Sequence, residues 1–253
     1  MRIGIYLLGE PLLRSDIGQL NPRPLSHTES LLQQEFVRIC EAAGQRAPSY
    51  GLKINPPLAT WEAQYFLLGL EENLFSLDGD GQVQNDLTAG PEKGPGLGFP
   101  IFSPERPPRL LRENICQLAV HSFLVFERGW LRGQVVLEPS RPEHRSTPHG
   151  LELLVRSTGD RTDIWVEIKR SAVELQKLIA DLRACSRRGP HAQSDCGFPQ
   201  NHPRYEFCLS CRPVYLWAVA PDAEVCFEVS YGQGSIELEE LRSLPPRSLI
   251  ELE

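Results

Sequence analysis

Apolar residues recur at helical spacing in the first third of the chain. Residues 26–29 (Ser-His-Thr-Glu) have the spacing of a capping box, and the amphipathic run that follows predicts a helix over residues 27–43. A second helical pattern spans residues 60–77, with Thr60 at its N-cap, and residues 2–8 predict a short strand. This part of the chain is therefore expected to be mainly helical, and it contains no motif that indicates a particular chemistry.

The periodicity disappears in residues 78–109, which contain six Gly and six Pro. This density of Gly and Pro predicts a linker or a long ordered loop after an N-terminal region of residues 1–77. The Asp-Gly-Asp-Gly sequence at 78–81 is similar to the start of a calcium loop. It lacks the later Glu and the flanking helices of such a loop, and it therefore predicts a plain turn.

Helical and strand patterns alternate from residue 110 onwards, which predicts an α/β domain over residues 110–231. Its sheet is expected to be mixed and flanked by helices. Residues 232–253 form an acidic tail that is expected at the periphery. The predicted elements are helix 110–127, strand 134–138, strands 150–157 and 162–169, helix 171–184, and strands 213–220 and 224–231.

Two of these strands, residues 150–157 and 162–169, are joined by a tight turn at 158–161. Each alternates between an apolar face and a face that carries charge. Pairing across the turn joins residues whose numbers add up to 319, which places Glu152 directly opposite Glu167. Side chains in this relation have Cβ atoms about 4.5–5.5 Å apart.

Two carboxylates at this distance repel each other unless a positive charge or a shared proton lies between them. Lys169 follows Glu167 by two residues on the same face, and a divalent ion bridging both acids would supply more charge. Hard oxygen ligands suit Mg²⁺ or Mn²⁺. A surface hairpin with solvated Glu side chains is the alternative.

Two other acids of the hairpin have simpler interpretations. Asp163 is expected to pair with Arg156 across the strands, and Asp160 is interpreted as a turn residue.

Four of the seven Cys fall within residues 185–211, a segment rich in Pro and poor in apolar residues. The last two have the C-x₂-C spacing of thiolates that share one tetrahedral ion, and His191 and His202 lie in the same segment. A closed structural zinc site would keep this segment ordered. An Fe–S cluster is the less favoured alternative, and reduced thiols without metal are a third. The predicted ligands are Cys185, Cys196, Cys208 and Cys211, whereas Cys40, Cys116 and Cys226 are expected in the core.

The composition, with 41% hydrophobic and 23% charged residues, excludes a disordered or fibrous chain. No apolar stretch reaches membrane-spanning length and no export signal is evident, so a cytoplasmic protein is expected.

The net charge of −7 is unevenly distributed along the chain. Residues 106–215 contain 17 basic and 12 acidic side chains, a balance of +5, and five of the six His. This basic segment is compatible with phosphate binding.

The hairpin sequence GLELLVRSTGDRTDIWVEIKRS resembles the active-site hairpin of the PD-(D/E)xK nuclease superfamily, which has the restriction-endonuclease-like fold. Glu167-Ile168-Lys169 matches the E-x-K motif of that superfamily. Glu152 lies 15 residues before Glu167, where the superfamily usually has Asp. The order of the predicted elements also agrees, so the resemblance covers residues 110–231, with the Cys-rich segment 185–211 as an insertion.

The resemblance implies roles for individual residues. Glu152, Glu167 and the backbone carbonyl of Ile168 would bind Mg²⁺ or Mn²⁺, and Lys169 would assist the nucleophile. Many members add a Glu from the first helix of the fold, and Glu113 is the best match, although a helix-capping role explains it equally well.

The expected function is therefore a divalent-metal-dependent nuclease that hydrolyses phosphodiester bonds, in DNA ahead of RNA. Basic residues after the E-x-K motif, above all Arg170, Arg187 and Arg188, would hold the nucleic-acid backbone. The alternative is a catalytically inactive module of the same fold that binds nucleic acid or a protein partner. No membrane partner is expected, and residues 1–77 could select substrate, form a homodimer or bind another protein.

Overall fold

The computed structural model describes residues 6–7, 23–78, 80–84, 99–137, 151–157 and 161–250. Its helices are α1 (Arg23–Ala42), α2 (Thr60–Glu71), α3 (Arg112–Phe126), α4 (Ala172–Arg188), α5 (His202–Cys211) and α6 (Arg247–Ile250). Its strands are β1 (Tyr6–Leu7), β2 (Ser76–Leu77), β3 (Gln82–Gln84), β4 (Phe99–Pro100), β5 (Val135–Leu137), β6 (Leu153–Arg156), β7 (Thr162–Ile168), β8 (Tyr215–Ala220), β9 (Ala223–Tyr231) and β10 (Ile236–Leu241).

The main sheet is mixed. Its strand order is β9–β8–β7–β6–β5, and the outer edge of β9 is shared by β1 and β10. β7 and β8 are parallel and are connected through α4 and α5, whereas the other neighbouring strands are antiparallel. The α/β class, with a mixed sheet and a mainly helical N-terminal region, is therefore confirmed.

Helices cover both faces of this sheet. One face packs against α1, α2 and α3 through residues such as Val155 and Ile164, and the opposite face packs against α4 and α5 through residues such as Leu154 and Trp165. Every residue of β7 is buried as a result. The charged positions of the hairpin thus lie between layers of helix, where the free energy of a charge depends strongly on its neighbours.

A buried ion pair joins α2 to α3. Arg112 binds the Glu62 carboxylate through both terminal nitrogens, and the two side chains are only 6% and 0% exposed. Glu62 also accepts a hydrogen bond of 2.7 Å from the N–H of Ala59. The N-cap of α2 is therefore Ala59 and not Thr60, because the capping carboxylate comes from the third residue of the helix.

The segment interpreted as a linker contributes strands to a small antiparallel sheet, β2–β3–β4. Val83 and Ile101 are fully buried in the N-terminal core. The predicted turn after β2 is also present, since Asp78 Oδ1 accepts hydrogen bonds from the N–H groups of Asp80 and Gln82. Strands of two or three residues have no detectable alternation, which explains why the sequence pattern did not reveal them.

The C-terminal half extends two of the predicted elements. Helix α4 begins directly after Ser171, close to the predicted start, and Ser171 caps it by accepting a hydrogen bond from the N–H of Glu174. The helix continues to Arg188, so Cys185 lies in its last turn and not in a loop. The acidic tail is not peripheral as expected but belongs to the main sheet, because β10 pairs with β9 and Ile236 is buried.

Among the described helices, none combines the length and the apolar composition that crossing a membrane requires.

A buried carboxyl group on β9 makes stability depend on pH. Burial raises the pKa of Glu224 to about 7, although a hydrogen bond of 2.9 Å from Trp217 Nε1 opposes this shift. The folded protein holds this proton more tightly than the unfolded chain, so the free energy of unfolding should fall between about pH 4.5 and 7 and level off above. In Glu224→Gln the part of this decrease that Glu224 contributes, up to about 3 kcal/mol, should be absent, and any contribution of other buried acids should remain.

Urea unfolding of both proteins at pH 5 and pH 8 measures this effect. Glu228→Gln is the matched control, because Glu228 is an exposed carboxyl group on the same strand. Parallel loss of stability in wild type and Glu224→Gln would assign the pH dependence to other groups.

Candidate functional site

The β6–β7 hairpin has the predicted register in its central part. Leu153 pairs with Val166, and these numbers add up to 319 as expected. One step outward, Glu152 comes opposite Glu167, immediately before β6 begins. The strand positions of the two acids thus follow from the turn and the alternation alone.

Glu167 is fully buried and accepts hydrogen bonds from three side chains. Trp165 Nε1 donates to Oε1 at 3.2 Å, whereas Lys169 Nζ and Arg204 Nε donate to Oε2 at 2.8 and 2.7 Å. Lys169 Nζ also donates to the carbonyl of Ile168 at 3.0 Å, so both of these predicted site residues lie at the carboxylate. Two cations held against one buried carboxylate make this a strongly ionic site.

Glu152 is partly exposed and lacks the direct hydrogen bonds that Glu167 accepts. Its side chain is 22% exposed, and its Oε1 atom lies 3.6 Å from Lys169 Nζ and 3.9 Å from an Arg204 nitrogen, beyond direct hydrogen bonding. Its Oε2 atom is buried without a hydrogen-bond partner among the described residues. The site therefore retains unused acceptor capacity at one carboxylate oxygen.

The two carboxyl groups have opposite pKa shifts. Burial and the neighbouring Glu167 raise the pKa of Glu152 to about 8, although Lys169 and Arg204 oppose the shift. Burial also disfavours the ionised form of Glu167, but the two cations outweigh it and hold the pKa of this carboxyl group well below its usual range. Near neutral pH the pair thus carries one proton, as expected for two close acids.

Helix α3 approaches the hairpin from one side. Gln117 Nε2 donates to the backbone carbonyl of Glu152 at 2.5 Å, which fixes the chain where β6 begins. Glu113 lies one turn earlier, is 40% exposed and pairs with Arg170 at 3.1 Å. Within the described part of the chain, Glu113 makes no hydrogen bond with either hairpin acid. The surface-hairpin alternative is wrong, because Glu167 is buried and α3 contacts the hairpin.

Arg204 is a site residue that the sequence did not reveal. It lies in the first turn of α5, within the segment interpreted as an irregular Cys-rich loop, and its side chain is 14% exposed. The pKa of Arg204 is raised, first by Glu167. Pro203 after Asn201 is a helix-start signal that could have revealed α5. No local signal could have revealed a contact across 37 positions of sequence.

Asp163 has different partners from those predicted. The register shifts at the end of β6, so Arg156 pairs with Thr162 and not with Asp163. Asp163 is buried, lies 3.3 Å from Arg161 Nε and accepts a hydrogen bond from the N–H of Ser157. A bulge adds one residue to one strand and thereby changes the pairing beyond it. Asp160 lies outside the described residues.

A second polar cluster lies on the other side of α5. One side-chain atom from each of four residues falls within 4.8 Å of the others, a group that could hold a metal ion. The two sulfur atoms are 3.4 Å apart, close to the roughly 3.8 Å expected for two thiolates on one tetrahedral zinc ion. We call these residues the Cys–His group: Cys185, His191, Cys196 and His202.

This set corrects the predicted ligands. Cys208 and Cys211 lie outside the Cys–His group, with Cys208 Sγ 3.7 Å from the Tyr231 hydroxyl and Cys211 Sγ 3.8 Å from Ser210 Oγ. The helix α5 explains the error, since both Cys lie near its C-terminal end while His202 is at its start. Cys40, Cys116 and Cys226 are buried in the core as predicted.

A hydrogen bond orients one imidazole of the Cys–His group, because His191 Nδ1 lies 2.6 Å from the carbonyl of Gly189. His191 Nε2 and both ring nitrogens of His202 are buried without a hydrogen-bond partner among the described residues, although His202 Nε2 lies 3.3 Å from Glu206 Oε1. A metal-binding His usually has the arrangement of His191, with one nitrogen bonded to a carbonyl or carboxylate and the other available.

The thiols of this group differ in acidity. Burial, and then the hydrogen bond with Cys196, raise the pKa of Cys185 to about 12. Burial would also raise the pKa of Cys196, but the neighbouring His191 and a hydrogen bond from the Phe198 N–H hold it below its usual value. One thiol is therefore already stabilised in the form that binds metal.

A groove of about 710 Å³ opens beside Glu113 and Arg170. Five basic and two acidic side chains line it, and residues 50–56 of the N-terminal region form one wall. Tyr50 is 63% exposed there, with Lys53 Nζ 4.6 Å from its ring centre. The charged lining residues are Lys53, Arg106, Arg109, Arg112, Arg170, Glu105 and Glu113.

The other basic residues predicted to bind nucleic acid lie away from this groove. Arg187 and Arg188 are exposed in the last turn of α4, and Arg188 donates to the carbonyl of Asp195. Of the three predicted residues, only Arg170 lines the groove. No family model, curated protein or solved structure matches the chain significantly.

Proposed function

We propose that the protein is a divalent-metal-dependent nuclease whose catalytic residues are Glu152, Glu167 and Lys169. The observation that carries the proposal is the carboxylate pair. Two close acids share a buried position beside a lysine, and one oxygen, Oε2 of Glu152, has no partner among the described residues. This is the residue set that the E-x-K resemblance implies, and it supports membership of the same fold group.

The residues fit a hard divalent cation. Glu152 Oε2 is available, and Glu167 Oε1 has a single donor, so each acid can offer one oxygen. A bound Mg²⁺ or Mn²⁺ would lower the pKa of its water and polarise a phosphate. Lys169 would orient that water, and burial of Glu167 would keep bulk solvent from it. Glu113 is exposed and Arg170 pairs with it, so we assign Glu113 to the groove and not to the metal.

We assign substrate binding to the groove. Its exposed basic side chains can contact phosphates, and the exposed ring of Tyr50 can stack on a base. Arg170 lines the groove and directly follows Lys169 in sequence, so the groove lies next to the end of the E-x-K motif. DNA is the proposed substrate, and the N-terminal region contributes to its recognition.

We propose zinc as the ion of the Cys–His group. Two thiols and two imidazoles in a small volume match a closed tetrahedral site. An Fe–S cluster with two Cys and two His ligands would hold two irons between the pairs, whereas the ligand atoms here are close enough for one ion. Its role would be structural, because all four positions are taken by protein.

A second function is favoured by one observation. Both acceptor positions of Glu167 Oε2 are filled by Lys169 and Arg204, so the two cations stabilise this carboxylate without metal. A catalytically inactive module that binds nucleic acid or a protein partner would have such a site.

Cleavage assays separate the two functions. We expect wild-type protein to cleave DNA with Mg²⁺ or Mn²⁺ and to lose this activity with EDTA. Glu167→Gln should reduce the rate at least about 100-fold, because it removes a metal ligand and a transition-state contact. Glu228→Gln, an exposed acid on β9 outside the groove lining, should remain within about twofold of wild type. DNA binding without cleavage, equal in all three proteins, would establish the inactive module.

A further inference from the structure

We propose that Arg204 is a built-in counter-ion that competes with the divalent cation for Glu167, and that the Cys–His group, when it binds zinc, holds Arg204 in this position. The inference rests on one part of the proposed function, namely that the carboxylate pair binds a divalent cation. It adds a metal-controlled positioning residue to that site.

The first turn of α5 connects the two clusters. His202 belongs to the Cys–His group and is fully buried, and Arg204 follows two residues later with its guanidinium at Glu167. Phe207 of the same helix packs edge-on against Trp165 at 5.4 Å between ring centres. Trp165 in turn donates to Glu167. Helix α5 therefore touches the carboxylate directly and through one aromatic neighbour.

The segment before α5 has few other anchors. Of residues 187–201, only Cys196 is buried, so apolar packing contributes little to its order. Asn201 Nδ2 donates to Asp181 Oδ2 at 2.8 Å, and Tyr205 donates its hydroxyl proton to the carbonyl of Gly234 at 2.5 Å. A metal ion on the Cys–His group would join this segment to the last turn of α4 and to the start of α5. The conformational entropy that ordering costs would then be offset by ligand bonds.

Arg204 and a divalent cation need the same carboxylates. Arg204 Nε fills one acceptor position of Glu167 Oε2, and its terminal nitrogen lies 3.9 Å from Glu152 Oε1. A cation bound between the acids would therefore meet a fixed positive charge within a few ångströms. Like charges this close repel each other strongly even at an effective dielectric constant of about 20, so removal of Arg204 should tighten cation binding. A residue that only supported the fold would weaken binding when removed.

The coupling between the two clusters has a further consequence. If zinc holds Arg204 in place, zinc loss frees α5 and should also tighten divalent binding at the hairpin. Binding free energies are reciprocal, so the two metals would disfavour each other. In a variant without the Arg204 charge, zinc loss should have no such effect.

The test is Mn²⁺ affinity, measured by electron paramagnetic resonance on zinc-loaded full-length protein. We expect Arg204→Met to lower the Mn²⁺ Kd at least about tenfold, and Arg204→Lys to give an intermediate value because it keeps the charge but not the planar fork. Arg187→Met, an exposed cation of α4, is the control and should match wild type. Zinc removal should tighten Mn²⁺ binding in wild type and not in Arg204→Met, and Glu167→Gln should abolish it in every background.

The outcomes distinguish the inference from the proposed function. Unchanged or weaker Mn²⁺ binding in Arg204→Met overturns the inference and leaves the metal site intact. Equal responses to zinc removal in wild type and Arg204→Met overturn the coupling. Absence of Mn²⁺ binding in all variants overturns the metal-dependent function together with the inference. Binding that appears only in Arg204→Met supports the inference and favours the inactive module.

Discussion

Cys196→Ser should yield protein without bound zinc and with a free energy of unfolding lower by about 4 kcal/mol. This magnitude corresponds to a free zinc concentration about a thousand times the Kd. Cys196 is the only buried residue between positions 187 and 201 and lies 3.4 Å from Cys185 Sγ, so its loss removes both a ligand and the anchor of the segment. Elemental analysis and urea unfolding measure the two effects.

Cys211→Ser is the matched control for this variant. Cys211 belongs to the predicted four-Cys set but lies outside the Cys–His group. It should keep one zinc per chain and wild-type stability. Loss of zinc from Cys211→Ser with retention in Cys196→Ser would restore the sequence-based ligand set. Wild-type protein that contains no zinc, and whose stability does not respond to a chelator, would leave the group as reduced thiols and imidazoles.

The two clusters differ in how far the sequence could predict them. The hairpin acids were placed correctly because register depends on local information, namely the turn and the alternation of strand faces. Glu152 and Glu167 are 15 residues apart, and the chain between them has few alternatives. The prediction failed at Asp163, where a bulge that has no sequence signature shifts the pairing.

The Cys–His group shows the opposite case. Spacing identified a segment with a group that could hold a metal ion, but the choice among four Cys and two His depends on where α5 begins. Because His202 is at the start of α5, Cys208 and Cys211 lie at the other end of this helix and outside the group that contains Cys185. The same helix determines the position of Arg204. Contacts of this kind depend on tertiary packing, which periodicity does not encode.

The buried environment of the hairpin was also beyond sequence reasoning. The alternation of apolar and charged positions predicted one dry and one wet face. Both faces are covered, since Trp165 packs under α5 and Gln117 approaches from α3. Burial disfavours the ionised form of both acids, and the direct contacts of Lys169 and Arg204 with Glu167 reverse this effect there, so the pKa values of the two acids diverge.

Lys169→Met should reduce Mg²⁺-dependent cleavage on the order of a thousandfold, a usual effect of removing a group that orients the attacking water and stabilises charge in the transition state. Its Nζ is 2.8 Å from Glu167 Oε2 and 3.6 Å from Glu152 Oε1, so the substitution removes a positive charge from the metal site. Mn²⁺ affinity should therefore be equal to or higher than that of wild type, in contrast to Glu167→Gln, which should lose both binding and cleavage.

This separation of binding from rate distinguishes a catalytic lysine from one that only balances charge. Lys177→Met serves as the control, since Lys177 is 62% exposed on α4 and should retain wild-type rate and affinity. Lys169→Arg keeps the charge but replaces a compact ammonium group with a larger planar one, so it should return Mn²⁺ affinity to the wild-type value without restoring the rate. A wild-type rate in Lys169→Arg would mean that charge alone suffices, and Lys169 would then act only by holding Glu167 in its ionised form.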